Sequence, residues 1–174
     1  MVLQTSRVIL RPFRADDLDR LAELFENPGF MRFSLGVQTR EKTAEFLEKV
    51  LRWEREGLPS MFAVQLKPEP TVLGYCGFFH HPPDVTTDVE IGYRLHPDYW
   101  NRGLITEASR AVRDHGFRDW NLPRVISLVH PENIPSQRIA EKMGMTIEKQ
   151  ITFRGFLTNV FFLTREKWLA VSAA

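Results

Sequence analysis

Apolar positions along the chain fall into two rhythms. Residues 89–95, Val-Glu-Ile-Gly-Tyr-Arg-Leu, alternate apolar and other side chains, as a half-buried strand does, and His96-Pro97-Asp98 ends the run with turn residues. Leu18, Leu21, Ala22, Leu24 and Phe25 instead recur at helical spacing, with Asp16 or Asp17 as the cap and Asn27-Pro28-Gly29 as the stop. A second helical stripe, Ala44, Phe46, Leu47, Val50, Leu51 and Trp53, follows Thr39 as cap and breaks at Gly57-Leu58-Pro59. Further strands are predicted at residues 7–13, 60–67, 71–81, 124–130, 147–153 and 160–164, and further helices from Glu107 to about Asp119 and over 135–143. Pro68 and Pro70 mark a hairpin-length connection between the strands at 60–67 and 71–81. The resulting order, β-α-α-β-β-β-α-β-α-β-β, predicts a mixed α/β (α+β) fold with helices on both faces of one sheet. The apolar connection Phe30-Met31-Arg32-Phe33 either lines a cleft or forms a satellite of the core.

At 174 residues and 43% hydrophobic content, the chain is expected to form a single domain over residues 1–174 with a sizeable core. Lys and Arg number 23 against 22 Asp and Glu, so a net charge of +1 gives no global attraction to nucleic acid or to an anionic membrane. The single Cys76 cannot form an internal disulfide, and its apolar setting predicts a buried thiol in a reducing, cytoplasmic protein. No apolar run approaches the ~18 residues of a membrane span, and no signal-peptide core is present at the N-terminus. The histidines 80, 81, 96, 115 and 130 show no metal-ligand spacing, so no metal is expected.

Candidate chemistry begins at Trp100-Asn101-Arg102-Gly103-Leu104-Ile105-Thr106-Glu107-Ala108, where a strand end meets a helix start through a glycine. The first amides of a helix have no intrahelical partner and sit at the positive end of its dipole. A loop wrapped there holds a phosphate, and Gly103 lets the backbone come close. An ordinary strand-to-helix turn fits the same residues.

The stretches EIGYRLHPDYWNRGLITEA, NIPSQRIAEKMGM and RVILRPFRADDLDRL resemble the GNAT superfamily of acyl-CoA N-acyltransferases, and most closely the branch that includes the ribosomal-protein-alanine N-acetyltransferases. The resemblance implies a GNAT fold, a mixed and mostly antiparallel sheet in which the strands bearing Glu90 and Ser127 splay apart. It also implies acetyl-CoA (coenzyme A) as cofactor and an amine acceptor, a protein N-terminus or a small molecule, attacked directly in a ternary complex. Asn101, Arg102, Gly103, Leu104, Ile105 and Thr106 map onto the pyrophosphate loop, Tyr93, Arg94 and Leu95 onto the strand beside the pantetheine, and Asn133 and Ser136 onto the second cofactor motif.

The chain departs from the family pattern at Ile105 and Asn101, where small residues are usual, and it lacks the tyrosine acid of the helix that follows Asn133. Ser136 is the substitute acid or, equally, that helix's cap. Glu90 is the candidate base or, alternatively, a partner of Arg94 on the same strand face. A glutamate implicated in the ribosomal branch maps onto Thr152 and does not transfer. These departures leave open a non-catalytic acyl-CoA-binding module, whereas the phosphate-loop pattern of a nucleotide binder is absent. A homodimer is compatible with the resemblance. The acceptor cleft is expected from residues 30–36 and 80–88, where Asp84, Asp88 and Glu90 favour a cationic acceptor.

Overall fold

The computed structural model describes residues 1–172. Its elements in order are β1 (Leu3–Gln4), β2 (Val8–Pro12), a 3-10 turn (Ala15–Asp17), α1 (Leu18–Glu26), α2 (Arg40–Arg55), β3 (Met61–Leu66), β4 (Val72–Phe79) and β5 (Val89–Leu95). A second 3-10 turn (Pro97–Tyr99), α3 (Leu104–Arg118), β6 (Arg124–Val129), α4 (Ile134–Lys142), β7 (Thr146–Phe153), β8 (Phe156–Thr164) and α5 (Arg165–Ser172) follow. The strands form one eight-stranded sheet in the order β1-β2-β3-β4-β5-β6-β8-β7.

Alternation along β3 explains why both faces of this sheet are covered. Phe62 and Val64 point into one core with Phe78, Ile91 and, from α3, Phe117, whereas Met61 and Ala63 point into a second core with Leu21, Leu24, Leu47 and Val50 from α1 and α2. Each buried Leu or Phe contributes about 1.5–3 kcal/mol, so the two stripes suffice to seat the helices. Cys76 lies in the first core, where burial pushes its thiol up to about 12 and Ser109 Oγ is 3.6 Å away. That is the inert thiol the sequence predicts.

Several boundaries differ from expectation. β1 and α5 are additional elements. β8 begins at Phe156 because Arg154 (φ 51°) and Gly155 (φ 81°) complete a two-residue hairpin turn, so the strands run to its edge. α3 begins at Leu104, three residues before the predicted Glu107, since free first-turn amides belong to a helix whose backbone is already wound. Thr39 caps α2 as predicted, accepting from the Lys42 amide at 3.3 Å. The Asp17 carboxylate does not cap α1; it accepts from the Arg14 amide at 2.7 Å and forms a 2.7 Å ion pair with Arg11.

One irregularity positions the site. All neighbouring strands are antiparallel except β5 and β6, which run parallel and pair only at Val89–Val125 and Glu90–Ile126. β5 nevertheless continues to Leu95 and β6 to Val129, so the two strands part and leave the β6-facing edge of β5 without a strand partner. The Ser127 hydroxyl reaches across the start of the gap to the Ile91 carbonyl at 2.8 Å.

Candidate active site

The splay opens into a cleft of about 1100 Å³, lined by β5 and β6 and closed by α2, the α1–α2 connection, the loop before α3, α4 and the β7–β8 hairpin. Tyr93, Arg94, Leu95, Asn101, Gly103, Leu104, Ile105, Thr106, Asn133, Ser136 and Glu90 all line it, so the structure gathers nearly every residue singled out by sequence around one space. Arg102 stands just outside, with its guanidinium over the Tyr99 ring at 5.3 Å.

The loop before α3 is built by two left-handed residues. Gly103 has φ 72° and Asn101 φ 57°; asparagine enters this region more readily than other side chains, which accounts for Asn where relatives commonly carry glycine. With the chain folded back this way, the amides of Leu104, Ile105 and Thr106 open α3 without intrahelical partners, at the positive end of its dipole. Ile105 packs against the core as well as lining the cleft. Behind the loop, Arg7 donates through Nη1 to the Arg102 carbonyl at 2.9 Å, and its amide and Nε both donate to the Glu107 carboxylate, at 2.9 and 2.8 Å. Burial acts to raise the Glu107 pKa, yet hydrogen bonds from the Thr5, Ser6 and Arg7 segment outweigh it and hold the carboxyl at about 2. The β1–β2 turn thus straps the cradle in place, a role the sequence pattern does not reveal.

Glu90 points to the face opposite Ile91, as the alternation predicts, but Arg94 is not its partner. Arg94 Nη1 donates to the carbonyls of Phe30 and Arg32, at 2.8 and 2.9 Å, and so ties the α1–α2 connection over the cleft. Glu90 Oε2 lies 2.5 Å from His81 Nε2, and Oε1 accepts the Leu128 amide across the splay at 3.3 Å. The His81 side chain is 3% exposed and that of Glu90 14%. His81 is the functional candidate that sequence reasoning missed. The only signal for it is register: Phe79 pairs with Glu90, which brings the residues just after Phe79 beside that carboxylate.

Asn133, not Ser136, caps α4: its Oδ1 accepts the Ser136 amide at 3.2 Å, which leaves the Ser136 hydroxyl free of that duty. Tyr93 reaches over from β5 and donates its hydroxyl to the Ser136 carbonyl at 2.8 Å, while burial pushes its pKa upward and keeps it protonated. A tyrosine hydroxyl therefore does stand at the start of α4, supplied by the facing strand rather than by the helix. Leu95 is held by Trp100, whose Nε1 donates to its carbonyl at 2.7 Å.

Of residues 80–88 only His81 lines the cleft; Val85, Thr86 and Asp88 border a separate small recess. Lys49 of α2 and Phe153, Arg154 and Phe156 of the β7–β8 hairpin line it instead. No helix among the described residues is long and apolar enough to cross a membrane.

Comparison with known proteins agrees with this geometry. The family model for the acetyltransferase (GNAT) domain matches residues 7–146. The N-acetyltransferase YnaD of Bacillus subtilis is 32% identical over 149 residues, 85% of this chain and 84% of its own. A GNAT-family acetyltransferase from Bacillus anthracis superposes with a TM-score of 0.79 at 28% identity, covering 95% of this chain and 99% of that one. The ribosomal L7/L12 α-N-protein acetyltransferase RimL, solved in complex with coenzyme A, shares the fold with a TM-score of 0.79 at 18% identity, over 94% and 98% of the two chains. The chain therefore belongs to the GNAT acetyltransferases and is an N-acetyltransferase that uses acetyl-CoA.

Proposed function

We propose that the chain acetylates a primary amine, on a protein N-terminus or a small molecule, by direct attack on the thioester in a ternary complex held in the β5–β6 splay. The observation that carries this reading is the two-residue pairing of β5 with β6, which leaves a free strand edge leading from the cradle to Glu90. Acetyl-CoA supplies an activated acyl group as a thioester. An open strand edge takes up the amide groups of an extended arm as it would an added strand, so β5 beyond Ile91 fits a pantetheine. The amides of Leu104, Ile105 and Thr106, with Arg102 beside them, fit a pyrophosphate. Asn133 keeps α4 in place through its cap.

Acyl transfer to nitrogen forms a C–N bond and breaks a C–S bond, so the amine must lose a proton and the departing sulfur must gain one. Glu90, oriented by His81 and the Leu128 amide, takes the amine proton directly or through water. Main-chain N–H groups on the open edge of β5 stabilise the charge that gathers on the carbonyl oxygen. The Ser136 hydroxyl, at the far wall of the splay, supplies the proton to sulfur, and Tyr93 fixes the backbone that carries it.

The test is release of free thiol from acetyl-CoA across a panel of amines, with the acetylated product identified by mass. Amine-dependent release supports the reading. Tight coenzyme A binding without release for any amine overturns it.

A further inference from the structure

On the side of the cleft away from the cradle, Arg32, Lys49 and Arg154 each lie against a ring of its lining. Arg32 Cζ is 4.9 Å from the Phe33 centroid, Lys49 Nζ 5.4 Å from Phe79, and Arg154 Cζ 4.9 Å from Phe153. None of these cations pairs with a carboxylate among the described residues. An aromatic face holds a cation without neutralising it, so the charge stays available to a ligand.

These rings lead straight to the proposed base. Phe79 and Phe153 enclose His81, at centroid distances of 5.0 and 5.2 Å, and His81 is the partner of Glu90. On the other side Phe33 contacts His130 at 5.5 Å, and His130 contacts Phe156 at 6.0 Å, which joins the α1–α2 connection to the hairpin around the same opening. Lys49 and Arg154 thus each stand one ring removed from His81, the imidazole that partners Glu90.

The remaining charges near this half are already engaged. Lys42 is matched by Glu45 at 3.1 Å, and Arg94 is held by main-chain carbonyls. Of the acidic residues that the sequence offers for a cationic acceptor, Asp88 pairs with Arg124 at 3.1 Å, Asp84 does not line the cleft, and Glu90 is the base that the amine itself faces. Apart from Glu90 at the amine's end, the unpaired charge on this side of the cleft is therefore positive.

We propose that the acceptor carries an anionic group on the same molecule as its reactive amine, with Arg32, Lys49 and Arg154 holding the anion while the amine nitrogen faces Glu90. This rests on the acetyl-transfer reading above. A polyamine is the wrong substrate for such a site, because its second charge meets like charge where this one needs the opposite.

The experiment compares acceptors that differ only in that charge: 4-aminobutyrate against 4-aminobutanamide, and the amidated peptide Ala-Glu-Glu against Ala-Gln-Gln, with spermidine as the polycation. The proposal expects kcat/KM at least tenfold higher for the acidic member of one pair, and lowest for spermidine; which pair shows the preference tells a small-molecule acceptor from a peptide N-terminus. Arg154→Asn keeps a residue that tolerates the left-handed turn, and it should collapse the acidic-to-neutral ratio several-fold, as should Lys49→Gln. Added salt should erode the same ratio. Equal rates within each pair, or spermidine as the best acceptor, overturn the acceptor class while leaving acetyl transfer intact. Absence of thiol release with every amine overturns both.

Discussion

His81 Nε2 and Glu90 Oε2 lie 2.5 Å apart at the point where β5 and β6 separate, with the imidazole enclosed by Phe79 and Phe153. A carboxylate anchored at both oxygens, by His81 on one side and the Leu128 amide on the other, presents its remaining lone pairs in one direction only. Glu90→Gln keeps the size of the side chain and removes the base. Turnover should fall by about 10²-fold near neutral pH with acetyl-CoA binding nearly intact, and the loss should shrink as rising pH deprotonates the amine unaided.

His81 acts through Glu90, and its variants separate that role from packing. His81→Gln retains a nitrogen close to the Nε2 position and should keep most of the rate. His81→Leu fills the same pocket between the two rings but leaves one carboxylate oxygen without its partner, and should lower kcat by roughly tenfold while KM for acetyl-CoA stays put. Equal kcat in the two variants would show that His81 only fills space.

The cradle makes a different demand. Gly103 at φ 72° needs both a residue that tolerates the left-handed region and a backbone open to the cleft. Gly103→Val strains the fold itself, so the informative variant is Gly103→Asn, which keeps the turn and sets a Cβ 3.4 Å from Arg7 Nη2, on the strap that holds the loop. Its melting temperature should stay within a few degrees of the parent, and coenzyme A affinity should drop by about tenfold or more. Unchanged affinity would mean that the Arg7 strap behind Gly103 does not shape the cradle.

Much of this was legible in the chain. Alternation along residues 89–95 placed Glu90 on the correct face, and the glycine at the head of α3 located the cradle, because period and backbone permissiveness are local properties. What escaped is set by register and by long-range pairing. The His81 contact depends on how β4 and β5 align; the strap from Arg7 to Glu107 joins residues 100 positions apart; and Arg94 found backbone carbonyls of the α1–α2 connection rather than the carboxylate on its own strand face. The same limit bears on the charges offered to an acceptor. Asp88, counted along its loop, reads as free, yet it pairs with Arg124 from β6.

Proton delivery to sulfur sets Ser136 against Tyr93, which meet at the Ser136 carbonyl. If the serine hydroxyl is the donor, Ser136→Ala should lower kcat by about 10-fold to 10²-fold with little change in KM for acetyl-CoA. Tyr93→Phe should instead raise that KM, because it frees α4 from β5 and loosens the wall of the splay. The reverse pattern, with kcat falling in Tyr93→Phe and spared in Ser136→Ala, would transfer the acid role to the tyrosine.

The Glu107 strap predicts a pH dependence of stability whose direction follows from its pKa. The carboxyl is held at about 2 in the fold, below the 4.5 of an ordinary glutamate, so the unfolded chain binds its proton first as pH falls. Its contribution is complete above about pH 5 and disappears as pH drops toward 2. Arg7 is 49% exposed, and solvent screening reduces the contribution to roughly 1–2 kcal/mol, or about 2–6 °C in melting temperature for a chain of this size. Glu107→Gln keeps an oxygen for the Arg7 amide and Ser6 hydroxyl but not the charge. It should melt lower than the parent at pH 6 and converge with it by about pH 2.5, in buffers where both refold. A gap that persists unchanged through that range would assign the loss to packing at the start of α3 rather than to the ion pair. Because Arg7 also holds the Arg102 carbonyl, the same variant should weaken coenzyme A binding at pH 6 by a few-fold, tying the strap to the cradle it supports.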